Sequence, residues 1–179
     1  MRNFLFFLCL TFILSSCNNE QVEVKKTTTT NQVFAEVTLE DIPTLDYEGL
    51  EPIFTKNDDK TYVINFWATW CLPCVKELPY FERINQEYKD KNVEVILVSL
   101  DFPTQKEKRL ISFINKKKLQ SKVIHFDDIN EQVWIPKIDE SWTGAIPATI
   151  IYNKGKRKFY EQSFTEEELL KELKSFIKL

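Results

Sequence analysis

With three glycines and one histidine among 179 residues, the chain is short of the residues on which several common chemistries depend. Average usage would give roughly a dozen glycines at this length. Gly49, Gly144 and Gly155 stand too far apart for G-x-G-x-x-G or a Walker loop, so a glycine-rich phosphate cradle is excluded. A histidine-dependent triad or a multi-histidine metal site would have to run through His125 alone. A cationic excess is also missing: the net charge is −3, which argues against a nucleic-acid partner. The length suits one α/β-sized domain, in which the four cysteines are the scarce, informative residues. By number alone they permit three disulfide connectivities or a metal site.

Position along the chain separates them. Met1-Arg2-Asn3, an apolar run of 11 residues from Phe4 to Leu14, and Ser15-Ser16-Cys17 have the charged, hydrophobic and small-residue regions of a secretory signal. A spanning helix needs about 20 apolar residues, so this run is too short to cross a membrane. Leu14-Ser15-Ser16-Cys17 resembles a bacterial lipobox, in which cleavage before the cysteine frees its amine and the thiol receives diacylglycerol. The resemblance implies a signal peptide over residues 1–16, loss of Cys9 with it, and lipid attachment at Cys17; an ordinary cleaved signal beside an unmodified cysteine is the alternative. Residues 17–32, with Thr27-Thr28-Thr29-Thr30 and few large apolar side chains, are expected to form a flexible tether, because they cannot bury enough surface to offset their ordering entropy. A short edge strand at Val22–Val24 is the other reading of that stretch.

Residues 33–179 alternate strand and helix patterns, the signature of a layered α/β domain. Val33–Leu39 alternates weakly and predicts a strand of an N-terminal β extension. Asp46–Phe54 predicts a short helix, and the nearly continuous apolar run Thr61–Trp67 predicts a central strand buried on both faces. Helical spacing follows over Leu72–Tyr88, then a second buried strand over Val93–Leu100. Thr104-Gln105-Lys106-Glu107 reads as a capping box opening a helix through Leu110, Ile111, Phe113 and Ile114, and Lys116-Lys117-Lys118 reads as its solvated end rather than an anion site. A strand at Val123–Phe126, a helical turn at Asn130–Trp134, and a hairpin of Ala148–Tyr152 and Lys156–Tyr160 come next. Thr165-Glu166-Glu167-Glu168 is a second capping box, followed by an apolar face of Leu169, Leu170, Leu173, Phe176 and Ile177.

The chemistry is carried by Trp70-Cys71-Leu72-Pro73-Cys74, between the most hydrophobic strand and a helix. A strand running into a helix sets Cys71 at the helix N-terminus, where unpaired N–H groups and the positive dipole end stabilise a thiolate. Cys71 is therefore expected to be the acidified, exposed attacking sulfur, and Cys74, one turn on, the sulfur that resolves a mixed disulfide. Pro73 sits early in the helix, where its missing N–H costs nothing. Half a zinc site would need two further ligands, with only His125 and carboxylates available, so no metal is expected. A purely structural disulfide across so short a loop would restrict the unfolded chain very little. Trp70 is expected beside the disulfide with an edge for partners. Trp134 and Trp142 read as packing residues, His125 as a packed or surface histidine, and Asp101 as a turn former before Pro103.

Asn65-Phe66-Trp67-Ala68-Thr69-Trp70-Cys71-Leu72-Pro73-Cys74 resembles the active-site segment of thioredoxins, with Pro79 matching the helix-kinking proline and Ile146-Pro147-Ala148-Thr149 the cis-proline loop. The lipobox, Glu77 and the long 101–145 segment are similar to the TlpA/ResA-like membrane-anchored thioredoxins. The resemblance implies an α/β thioredoxin fold, a central mixed sheet flanked by helices with a central insertion, and a Pro147 loop facing the cysteines. It also implies a redox-active Cys71–Cys74 disulfide that needs no cofactor. The expected activity is reduction of disulfides in exported proteins, apocytochrome c among them, by a lipid-anchored periplasmic domain fed by a transmembrane thiol electron donor. Asn65 replaces the buried aspartate of many thioredoxins and cannot titrate. Glu77, three residues beyond Cys74, is expected to take over its acid–base role, with a solvated helix glutamate as the alternative. A thiol peroxidase of related fold and a non-enzymatic binding lipoprotein remain the alternative functions.

Overall fold

The computed structural model describes residues 34–177. The expected signal peptide, the Cys17 attachment site, the tether and the Val22–Val24 strand lie outside the described residues. The elements run β1 (Thr44–Leu45), α1 (Tyr47–Leu50), β2 (Thr61–Trp67), α2 (Leu72–Tyr88), β3 (Val93–Ser99), α3 (Ser112–Lys117), β4 (Lys122–Phe126), α4 (Glu131–Ile138), β5 (Ala148–Asn153), β6 (Lys156–Tyr160) and α5 (Glu166–Lys174). Among the described residues no helix is long and apolar enough to cross a membrane.

The sheet has six strands in the order β1-β4-β3-β2-β5-β6. Strands β1 to β4 pair in parallel, and β5 joins β2 antiparallel with Ile64 opposite Ile150, so the sheet is mixed. Strand β2 is buried along its whole length because helices cover both faces. Its alternation divides the core: Val63 and Trp67 pack with Leu78, Phe81, Leu169 and Leu173 of α2 and α5, whereas Tyr62, Ile64 and Phe66 pack with Trp134 and Trp142 on the side of α1 and α4. Both tryptophans are core residues, and each finds a carbonyl for its indole N–H, Trp134 from Asp128 at 3.0 Å and Trp142 from Ala145 at 2.8 Å.

Two local expectations are corrected. The extension strand lies at Thr44–Leu45, and Phe34–Leu39, the described part of the expected Val33–Leu39 strand, forms none. The backbone of Val37 is held by a side chain, its N–H donating to Asn115 Oδ1 at 2.8 Å and its carbonyl accepting from Asn115 Nδ2 at 2.8 Å, so no strand pairing is needed there. The capping box at Thr104 is absent: Pro103–Gln105 forms a 3₁₀ turn that leads into a π-helical turn over Lys106–Ile111 before α3 begins. The second capping box is present, with Thr165 Oγ1 accepting from Glu168 N and the Glu168 carboxylate accepting from Thr165 N. The helical turn expected at Asn130–Trp134 extends to Ile138.

Candidate active site

The parallel strands deliver their C-terminal ends to one edge of the sheet, where α/β folds place ligands and reacting groups. Strand β2 ends at Trp67, and Ala68–Cys71 turn into α2, with Cys71 as its N-cap. Cys71 and Cys74 form a disulfide with an S–S separation of 1.97 Å and Cα atoms 5.3 Å apart. Cys71 Sγ accepts the backbone N–H of Cys74 at 3.3 Å, so the positive end of α2 is directed at this sulfur. Pro73 lies in the first turn of α2, and Pro79 lies within the helix. The expectation of an exposed Cys71 needs correction in degree. Cys71 is only 6% exposed in the disulfide and Cys74 is fully buried, so the pair offers one narrow sulfur edge to a partner.

The opposite wall is the loop preceding β5. The Ile146–Pro147 peptide bond is cis, and the carbonyl oxygen of Ile146 lies 3.8 Å from Cys71 Sγ. A carboxylate shapes this loop from below: Glu161 accepts from Thr143 N, Thr143 Oγ1 and Ala145 N at 2.5–3.2 Å. Burial raises the Glu161 pKa, but these hydrogen bonds outweigh it and hold the carboxyl below its ordinary value. Gly144, between the two anchored residues, has φ +94°, a conformation that side chains disfavour, and a Cβ there would stand 3.0 Å from Ile135 Cδ1.

One turn beyond Cys74 on α2, Glu77 is 1% exposed, which makes it a buried carboxyl rather than a solvated helix glutamate. Its Oε1 accepts from Asn65 Nδ2 at 3.1 Å and its Oε2 from the Phe164 backbone N–H at 2.8 Å. Asn65 also donates to Thr149 Oγ1 at 3.1 Å, so β2, α2 and β5 are joined through the Asn65 amide. Burial pushes the Glu77 pKa up to about 7, against the lowering effect of the Phe164 and Asn65 hydrogen bonds. Asn65 is thus a donor to the buried acid instead of being the acid.

Asp101 does more than set a turn. It is buried, and its carboxylate accepts from Thr69 N at 3.0 Å, Thr69 Oγ1 at 2.5 Å and Ser99 Oγ at 2.8 Å. That ties the end of β3 to the residue two positions before Cys71. His125 is buried as well, its Nε2 2.8 Å from the Asp101 carbonyl oxygen and its Nδ1 3.1 Å from Thr44 Oγ1, which makes it a packing histidine behind the same loop. Phe102, not singled out from the sequence, is 63% exposed and stacks on Trp70, itself 47% exposed, with centroids 6.3 Å apart. The signal available for it was its place before Pro103, which keeps the residue extended and out of a helix.

Comparison with known proteins agrees with this geometry. The AhpC/TSA family profile matches residues 21–157. Over 132 residues, 73% of this chain and 71% of the relative, the sequence is 29% identical to the thiol-disulfide oxidoreductase ResA of Geobacillus thermodenitrificans (strain NG80-2). A stretch of 44 residues, 25% of this chain and 23% of the relative, is 52% identical to the protein of the same name from Oceanobacillus iheyensis. This match and one to a Bacillus thuringiensis relative span about a quarter to a third of those proteins. The crystal structure of a thioredoxin-related protein from Neisseria meningitidis serogroup B is similar with a TM-score of 0.56 and 21% identity, over 66% of this chain and 85% of that one. The chain therefore belongs to the AhpC/TSA family and has the thioredoxin fold.

Proposed function

We propose that this chain is a thiol-disulfide oxidoreductase that reduces disulfides of exported proteins through Cys71 and Cys74. The observation that carries the reading is the stacking of three groups at the start of α2: a disulfide whose Cys71 sulfur faces the helix N-terminus, a fully buried Cys74, and a buried Glu77 one turn further on. In the reduced protein the Cys71 thiolate attacks a substrate sulfur. One substrate thiolate leaves, and a Cys71–substrate disulfide forms. Glu77, with a pKa of about 7, takes the proton of the Cys74 thiol near neutral pH. The Cys74 thiolate then attacks Cys71 Sγ and releases the second substrate thiolate. Two electrons have passed to the substrate, and the Cys71–Cys74 disulfide is left. Thr69 and Asp101 hold the approach to Cys71, while the Pro147 loop bounds the groove on the other side.

The likeness of Leu14-Ser15-Ser16-Cys17 to a lipobox supports the placement: a lipid on Cys17 would hold the domain at the periplasmic side of a bacterial membrane. Exported proteins, apocytochrome c among them, would be its substrates, and a transmembrane thiol carrier would return its electrons.

Substitution supplies the test. Cys74→Ser, reduced and mixed with a disulfide substrate, is expected to accumulate the Cys71 mixed disulfide, and Cys71→Ser to lose exchange altogether. Retention of full exchange by Cys71→Ser would overturn the reading. A reduction potential near thioredoxin's, about −270 mV or lower, agrees with a reductant, whereas one near DsbA's, about −120 mV, reverses the direction of electron flow.

A further inference from the structure

A surface pocket of about 280 Å³, which exchange of sulfurs does not itself require, reaches Thr69, two residues before Cys71. It is lined by Thr69, Arg109, Ser112, Phe113 and Lys116. The last four recur at successive turns along the π-helical segment and α3, so they share one helix face. Its floor is fixed, because the Phe113 ring packs on Trp67, the last residue of β2, with centroids 5.4 Å apart. Its inner rim is Thr69, which Asp101 holds in place two residues before Cys71.

The charge of this pocket is opposite to that of the chain. The protein carries a net −3, whereas residues 106–118 hold six lysines and arginines against Glu107 alone. Lys106 of that group is occupied by the Ile42 carbonyl at 2.6 Å and Thr44 Oγ1 at 2.9 Å. Arg109 and Lys116 are exposed and, among the described residues, have no carboxylate partner. Exposed apolar side chains adjoin Thr69 and Cys71 in the chain: Trp70 stands between them, Leu72 follows Cys71 and is 73% exposed, and Phe102 stacks on Trp70.

We infer that this edge selects protein substrates whose disulfide lies beside acidic residues, the apolar neighbours of the substrate cysteine packing on Trp70, Phe102 and Leu72 while a carboxylate enters the pocket between Arg109 and Lys116. The inference rests on the proposed exchange activity and names its substrate class. Continuity favours a peptide over an anionic lipid surface: the pocket and the sulfur share the Thr69–Cys71 segment, so one extended chain segment can reach both. Opposite charge at such a site raises the rate of productive encounter and is weakened by salt.

The test measures kcat/KM of the reduced full-length chain on two disulfide-linked peptides that differ only in carrying glutamate or lysine beside the cysteine. A glutamate-to-lysine ratio of about tenfold at low ionic strength is expected, falling at high salt. In the Arg109→Ala/Lys116→Ala double variant the ratio should fall towards one, and since both side chains are exposed the fold is expected to persist. A wild-type ratio of one, with hydroxyethyl disulfide still reduced, overturns the substrate class and leaves the exchange reading standing. No reduction of hydroxyethyl disulfide overturns the exchange reading, and this inference with it. A ratio of one together with Arg109- and Lys116-dependent binding to phosphatidylglycerol vesicles overturns the inference in favour of a lipid surface.

Discussion

Glu77 on α2 accepts the backbone N–H of Phe164 at 2.8 Å, so the buried carboxyl one turn beyond Cys74 also anchors the segment that leads into α5. Stability should therefore report its titration. The Glu77 pKa is raised from 4.5 to about 7 by burial, so between those values the folded chain holds a proton that the unfolded chain has released. Stability then falls as pH rises: the contribution is fully present below about pH 4.5 and lost as pH passes through about 7, by an amount on the order of 3 kcal/mol. In Glu77→Gln this component should vanish. Urea midpoints of the oxidised protein at pH 5 and pH 8 check it, and equal pH dependence in both proteins would remove Glu77 as the source.

The same variant separates proton transfer from packing. Glutamine preserves the shape of the side chain but cannot accept the Cys74 proton. General-base contributions are typically about 10²–10⁴-fold. Resolution of a preformed Cys71 mixed disulfide should slow by about 10²-fold at pH 7, and the inflection near pH 7 should disappear from its pH profile. Stopped-flow release of a fluorescent thiol measures this, and an unchanged profile would assign the proton to another acceptor.

Asp101 receives three donors in a buried position, two from Thr69 and one from Ser99. Replacing one carboxylate oxygen by an NH₂ group turns one of these contacts into donor facing donor. Asp101→Asn should cost about 1–3 kcal/mol and Asp101→Ala at least as much, because the unsatisfied donors stay buried. Denaturant midpoints of the oxidised chain give the cost. Alkylation of Cys71 in the reduced protein reports whether the approach to the sulfur has moved, which a loss of global stability alone would not change.

Legibility followed locality. The strand, the two cysteines and α2 are consecutive in the chain, and the run Thr61–Trp67 with the helical spacing to Tyr88 already determined their arrangement. Glu77 could be named from its place on the helix, but its burial depends on Phe164, 87 residues away. Asp101 reads locally only as a turn former, since its partner Thr69 lies 32 residues back and the pairing of β2 with β3 brings them together. The position of β1 was missed for a related reason: its pairing with β4 spans 81 residues, while the weak alternation over Val33–Leu39 reflected a segment held by Asn115. Phe102 offers only its place before Pro103, Lys116 reads locally as part of a solvated lysine run, and Arg109 carries no motif; their juxtaposition with Trp70 and Thr69 arises from the fold.

The two capping-box patterns make the same point in a form that can be measured. Thr165 has extended backbone, φ −78° and ψ 161°, so its hydroxyl meets the N–H of Glu168 and stands in for a missing helical partner. Thr104 has the same pattern around it, but Pro103 starts a 3₁₀ turn one residue earlier and places the threonine inside a turn instead of at the boundary of one. There the N–H groups of Gln105 and Lys106 already donate to the Phe102 and Pro103 carbonyls, and the segment has no side-chain cap hydrogen bond. Thr165→Ala is therefore expected to lower stability by about 1 kcal/mol, and Thr104→Ala to stay within about 0.5 kcal/mol of the parent, as an exposed substitution does. Equal losses in thermal or urea unfolding of the two variants would mean that Thr104 caps a helix after all, and the π-helical start of the segment that carries Arg109 would then have to be redrawn.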